Sequence, residues 1–452
     1  MKKVFCYQQL SILVFLFLPL WSFCQTPKDM IRAIQQLMTE HYIFLDKAEA
    51  INAHLDQLIE NNHFDQFESD QALATAITTE MRKINDDKHL SVYAPREAIK
   101  VTDPLASFEQ SLSRYRNPMV KSVQLLDNNV GYVDLRFFGG GEASWNKIDV
   151  FMEQLDAADA LIVDLRNNGG GSISTVQYFS SYFFEEGLLL NSIYARVNHQ
   201  LNINEHTREI RAIKVKGRKR PDLPVFVLTS SRTFSGAEDF SYTLQSFKKA
   251  QVIGEVSRGG AHPIDFFPLA NGFRIKIPFA MSIHPITKSN WEGVGIIPNL
   301  KVPKEDALDK ALILATEAAQ TYKASYLQPL ESLLKALGDN AVTAEKQEQL
   351  RSIITSAVEA QLLNERDINR LGYGYLSAEA PFIALALFQA NVQLFSSSAN
   401  AHDSYAEALA KVGQNDLALE NYQKAVSLAV EQELYDLPGF RRNLKAFQAA
   451  NK

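Results

Sequence analysis

The sequence predicts an α/β protein in which a βαβ core lies between two helical regions. Three observations carry this. Residues from about Pro27 to Asp87 have helical periodicity. Between Asn117 and roughly Val302, short β-rich runs alternate with helical segments. From Pro303 onward the pattern is helical again. Strands that alternate with helices imply βαβ units and a largely parallel sheet. At 452 residues, with 46% apolar and 22% charged residues, the chain is globular and exceeds one ordinary domain.

The first residues differ from the rest. Lys2 and Lys3 precede the apolar run "LSILVFLFLPLW", then small and polar residues around "SFCQTP". This is the layout of a secretory signal peptide cleaved near Cys24 or Gln25. The run is interrupted by Pro19 and is short for a spanning helix, and "LWSFC" is a poor lipoprotein signal. The expected setting is secreted or periplasmic, with no membrane span after cleavage. Both cysteines, Cys6 and Cys24, lie in this leader, so disulfide scaffolding, zinc–thiolate sites and a cysteine nucleophile are excluded from the folded body. A net charge of −6 without a basic block makes nucleic acid an unexpected partner.

After the leader, "MIRAIQQLMTEHYIF", "AEAINAHLDQLIEN" and "DQALATAITTEMRKIN" place apolar residues at i, i+3, i+4 and i+7, which predicts a small helical bundle. In the middle region "VGYVDLRFF", "ALIVDLR", "PVFVLTS" and "AQVIGEV" read as strands, and "SWNKIDVFMEQLDAA" and "GAEDFSYTLQSFKKA" as helices. The later run "GFRIKIPFAMSI" alternates like further strands. Near the end, "ALALFQANVQLF" and "ALENYQKAVSLA" superpose at an offset of 34 residues, which also matches Gly372 with Ala406. That period resembles the tetratricopeptide repeat, whose paired helices offer a peptide-binding face. The expected organisation is a signal peptide at 1–24, a helical bundle at 25–95, the core at 96–303, a helical connector at 304–360 and tetratricopeptide-like repeats at 361–452.

Three segments of the core carry the candidate chemistry. "LIVDLRNNGGGS" ends a strand in Gly169-Gly170-Gly171, where the backbone can approach a ligand and turn its amides toward an anion. No GxxxxGK[ST] pattern marks a phosphate loop. "TSSRTFSGAED" puts Ser235 between an apolar run and a helix, with Glu238 three residues on. That is a capping box, and it is also where several hydrolase folds place a nucleophile, with the Gly236 amide aimed at a developing oxyanion. "GEVSRGGAHP" and "NWEGVGIIPN" mix glycine turns with charged groups. Arg258 is suited to a substrate carboxylate or to a solvated loop.

In this order the segments resemble the C-terminal-processing (tail-specific) serine peptidases. The closer likeness is to the branch similar to interphotoreceptor retinoid-binding protein and the tricorn protease core. The resemblance spans roughly His89 to Val302 and implies a ClpP/crotonase-like core with Ser235 as nucleophile. Two features depart from the tail-specific pattern: Gly260 stands where the dyad lysine belongs, and too few residues follow His89 to hold a PDZ domain. The tricorn-like branch instead implies His89, in "DDKHLSVY", as general base and Glu292 as the carboxylate that orients it. Gly236 with an amide of the Gly169–Gly171 loop, Gly169 or Gly170, would hold the oxyanion. His262 is the rival base. No metal or cofactor is expected, and the expected substrate is a peptide or protein. Two other functions fit the same sequence: a non-catalytic ligand- or peptide-binding protein on this fold, in which Ser235 is only a cap, and a scaffold whose C-terminal helices recruit a protein partner.

Overall fold

The structure is a computed structural model in which residues 26–96, 103–105, 108, 119–196, 206–338 and 341–451 are described. The expected leader, with Cys6 and Cys24, lies outside the described residues. In chain order the helices are α1 (Pro27–His41), α2 (Leu45–Glu60), α3 (Asp70–Ile84), α4 (Glu142–Gln154), α5 (Ile173–Ser180), α6 (Gly236–Ser246), α7 (Ala307–Ala336), α8 (Ala344–Glu359), α9 (Glu365–Ser377), α10 (Pro381–Leu394), α11 (Ala399–Lys411), α12 (Asn415–Glu431) and α13 (Leu437–Ala450). The strands are β1 (Ser91–Tyr93), β2 (Val120–Leu126), β3 (Val130–Leu135), β4 (Ala160–Asp164), β5 (Leu189–Ala195), β6 (His206–Arg211), β7 (Val225–Thr229), β8 (Ala250–Gly254), β9 (Ile264–Pro268), β10 (Arg274–Pro278), β11 (Ala280–Ile283) and β12 (Leu300–Lys301).

The chain divides into two compact units. The first comprises the described residues of Met1–Thr102, Ala195–His206 and His262–Met281. Thr26 and Asp29 cap α1 reciprocally, and Ser69 caps α3. The helical spacing of Ile31, Ile34 and Met38, of Ile51 and Leu55, and of Ile77 and Met81 puts each set on one buried face, which joins the three helices. After α3 the chain turns into β1, which pairs antiparallel with β10, itself paired with β9. The Arg82 guanidinium fixes that turn by donating to the carbonyls of Leu90 at 2.9 Å and Lys88 at 2.8 Å.

The second unit comprises the described residues of Asp103–Tyr194, Thr207–Ala261 and Ser282–Lys452. Its sheet has the order β12-β8-β7-β4-β3-β2, parallel except for β2 against β3. Period-two alternation sends Val225 and Val227 of β7, with Leu161 and Val163 of β4, to a core shared with α4, α5 and α6. Phe226, Leu228 and Ile162 point to the opposite face, where α7 lays the stripe Ala307, Ala311, Ala315 and Ala319. Both faces are covered, so these strands read as continuous apolar runs. Phe240 of α6 stacks on Phe179 of α5 with ring centroids 4.7 Å apart, which ties the two helices that follow the candidate loops.

The C-terminal part of this unit is helical throughout its described elements. Helices α9 and α10 begin 34 residues before α11 and α12 respectively. Gly372 faces the Phe388 ring so closely that a Cβ there would lie 2.5 Å from it, which explains the small residue at this repeat position.

Candidate active site

Sheet topology brings three loops to one edge. Strands β4, β7 and β8 are adjacent and parallel, so their carboxyl ends deliver Asn168–Gly171, Ser230–Ser235 and Glu255–Ala261 to the same side, where α/β folds build their sites. Hydrogen bonds lock the first two loops together. Thr233 Oγ1 donates to the Leu165 carbonyl at 2.8 Å, and the Phe234 N–H donates to the Asn168 carbonyl at 3.1 Å.

Ser235 sits at the head of α6 with φ 54° and ψ −119°. These are the angles of the first central residue of a type II′ turn, a place that favours glycine. A serine held there is the strained strand-to-helix turn on which hydrolase folds present a nucleophile. Ser235 and Glu238 form a capping box in which the Glu238 carboxylate accepts the Ser235 N–H at 2.7 Å, and the Glu238 N–H also donates to the Ser235 carbonyl at 2.8 Å.

The glycine loop packs directly on this turn. A Cβ on Gly170 would lie 2.8 Å from Gly236 N, from the Phe234 carbonyl and from Ser235 Cβ, so only glycine fits. A Cβ on Gly236 would lie 3.2 Å from Gly171 N. The Gly170 N–H donates to the Asn168 side chain at 2.8 Å. Gly169 has open space within 4 Å of where a side chain would begin. Among the described residues no hydrogen bond engages the amides of Gly171 or Gly236, and these two lie side by side at the α6 N-terminus, whose dipole favours negative charge.

Glu238 organises what surrounds the serine. It is fully buried, and its carboxylate accepts from the Ser235 N–H at 2.7 Å, the Gly259 N–H at 2.6 Å, the Gly260 N–H at 2.9 Å and the Ser257 hydroxyl at 2.5 Å. Burial pushes its pKa up to about 7, against the pull of these four donors. One carboxylate thus joins the Ser235 turn to the loop after β8. The sequence showed Glu238 only as a cap partner; the glycines at 259 and 260, whose amides are free of side-chain shielding, were the available signal for more.

Arg258 lies in the middle of that loop. Its N–H donates to the Thr233 carbonyl at 3.0 Å, and its exposed guanidinium lies 5.1 Å from the centre of the Phe234 ring. Glu292 accepts the Ala261 N–H at 2.5 Å, and Trp291 Nε1 donates to the Gly260 carbonyl at 2.9 Å. The Asn290–Gly295 segment therefore braces the loop from the other side.

In the first unit, the turn after α3 carries His89, which is buried, with its N–H donating to Asp87 Oδ1 at 2.9 Å. His262 is also buried, and its Nδ1 lies 2.8 Å from Asp87 Oδ2. Burial opposes ionisation of Asp87, but the hydrogen bond and charge of His262 outweigh it and hold the carboxyl below its ordinary range. Tyr42 OH completes the set at 3.2 Å from Asp87 Oδ2. Sequence reasoning passed over Asp87, because an aspartate beside a lysine and a histidine in "DDKHL" reads as a solvated turn; its pairing with His262 spans 175 positions and has no local signature.

Fold and geometry together define an α/β protein that presents a serine on a strained turn beside the Gly171 and Gly236 amides. Comparison with known proteins places it further. Residues 129–302 match the description "Peptidase family S41", and residues 20–126 match "N-terminal domain of Peptidase_S41 in eukaryotic IRBP". Over these residues the chain is similar to peptidase family S41 and to its N-terminal domain. It is 23% identical over 264 residues to a protein of Staphylococcus haemolyticus named "Probable CtpA-like serine protease", covering 57% of this chain and 51% of that protein. It is 23% identical over 253 residues to the carboxy-terminal processing protease CtpA of Bacillus subtilis, covering 54% and 51%. The chain thus spans about half the length of the curated relatives it matches. Among solved structures, the tricorn protease superposes with a TM-score of 0.43 at 14% identity, over 65% of this chain and 37% of that one.

Proposed function

We propose that this chain is a serine peptidase, secreted or periplasmic, that hydrolyses peptide bonds through an acyl-enzyme on Ser235. The observation that carries the proposal is the Ser235 backbone, held in a glycine-like conformation with the Gly171 and Gly236 amides beside it. A hydroxyl is a poor nucleophile without a base. His89 takes that role and Glu292 orients it, as the family pattern implies. The tetrahedral oxyanion is held by the Gly236 and Gly171 amides, which are worth most when aimed at charge that develops in the transition state. Substrates are peptides or proteins, and the C-terminal helical repeats at 361–452 serve as a surface for a protein partner.

A second assignment of the base is favoured by the Asp87–His262 hydrogen bond. A buried carboxylate bonded to Nδ1 is what holds the imidazole of a triad base in the tautomer that leaves Nε2 free to take a proton. In that assignment Asp87 is the orienting group, and Glu292 only braces the loop through Ala261.

The test is cleavage of an unfolded protein substrate by wild type and by Ser235→Ala, His89→Ala and His262→Ala. Loss of cleavage in Ser235→Ala is required. A fall of about 10²–10⁴ in kcat for His89→Ala, with a smaller effect of His262→Ala, supports the first assignment of the base; the reverse order supports the second. Equal cleavage by wild type and Ser235→Ala would refute the peptidase reading and leave a binding protein on the same fold.

A further inference from the structure

We infer that Arg258 is a specificity residue that reads a substrate carboxylate next to the scissile bond. The inference rests on the reading of Ser235 as the nucleophile and deepens it to a substrate class.

Position is the first ground. Arg258 lies between Ser257 and Gly259, both bonded to the Glu238 carboxylate, which also holds the Ser235 N–H. Its own N–H is bonded to Thr233, two residues before the nucleophile. The Arg258 Cα is therefore fixed relative to Ser235 by hydrogen bonds on both sides.

Charge is the second ground. Two other arginines near the strand ends are neutralised, Arg166 by Asp164 and Arg136 by Asp134, whereas Arg232 after β7 is exposed like Arg258 and serves below as its control. Among the described residues Arg258 forms no ion pair, and its side chain is exposed. Such a cation on a rigid loop attracts an anion from solution.

Orientation is the third. The guanidinium carbon lies over the Phe234 ring, 5.1 Å from its centre, and its N–H groups lie along the edge of the planar guanidinium. Those edge donors suit the two oxygens of a carboxylate. Lysine would supply charge without this fork. The ligand is either an acidic side chain of the peptide or its free C-terminal carboxylate, which present the same two oxygens.

The experiment measures kcat/KM for matched peptides: Glu against Gln at each position flanking the scissile bond, and C-terminal acid against amide. Wild type is compared with Arg258→Gln, Arg258→Glu, Arg258→Lys, Arg232→Gln and Ser235→Ala. The expected result is a preference of roughly tenfold for one carboxylate form, as for a charge-assisted hydrogen bond in partial solvent. Arg258→Gln should erase it, Arg258→Glu should invert it, and Arg258→Lys should retain part of it. Which peptide pair shows the preference identifies the side chain or the terminus as the source. Equal rates across all pairs, a preference unchanged in Arg258→Gln, or its loss in Arg232→Gln instead would each overturn the assignment. Cleavage that Ser235→Ala does not abolish would overturn the nucleophile reading as well, so the two failures are distinguishable.

Discussion

Replacing Ser235 by glycine should stabilise the protein while removing its activity. At φ 54° and ψ −119° the residue occupies a region that L side chains avoid because of their Cβ. Holding a non-glycine residue in such a place costs about 1–3 kcal/mol. Glycine removes that cost but loses more backbone entropy on folding, about 0.5–1 kcal/mol relative to alanine. Ser235→Ala is the proper reference, because it lacks the hydroxyl and keeps the Cβ. The difference works out at about 0.5–2 kcal/mol in favour of Ser235→Gly. For a large domain this raises the thermal midpoint by about 2–4 °C per kcal/mol. Differential scanning calorimetry of the two variants side by side reads it, with peptide cleavage as the second assay; both variants should be inactive. A midpoint for Ser235→Gly at or below that of Ser235→Ala would show that the turn stores no strain, and the argument from backbone to nucleophile would fail.

Three further outcomes are expected. Gly170→Ala should lower kcat/KM by about 10²-fold, since its Cβ would lie 2.8 Å from backbone atoms of Phe234 and Gly236 and must displace the Ser235 turn; steady-state kinetics on a folded, thermally characterised variant checks this. Burial pushes Glu238 up to about 7 and Asp239 up to about 6, so between about pH 4 and 7 the folded state holds more protons than the unfolded one. The stability of these protonated carboxyls is fully present at the acid end and is lost as pH rises through that window, by roughly 3 kcal/mol for Glu238 alone; denaturant titrations at several pH values should show the decline, flattened in Glu238→Gln. In the first unit, the lowered Asp87 pKa means that its stabilising pairing with His262 is present above the ordinary aspartate range and is lost as pH falls below it. His262→Ala should therefore make the wild-type and variant acid-unfolding curves converge at low pH.

The fold was legible in the sequence where periodicity is strong. The helices before Asp87 announce themselves by their spacing, and the strands "ALIVD" and "VFVLT" by continuous apolar runs that two covered faces require. The turn at Ser235 was legible as a capping box, because Glu238 does bond the Ser235 N–H. Two parts were not. The Gly170 amide looks available in "NNGGGS", and only the turn back of Asn168 onto it shows that it is taken. The partnership of Asp87 with His262 joins segments far apart in sequence, and nothing local marks it. Hydrogen bonds closed by tertiary packing leave no periodic trace, whereas buried faces do.

The most direct measurement is covalent labelling by a fluorophosphonate, with the modified residue mapped by mass spectrometry. The account predicts a single labelled peptide carrying the adduct on Ser235, and no label in Ser235→Ala. An unlabelled wild-type protein, or an adduct on any residue other than Ser235, would contradict it.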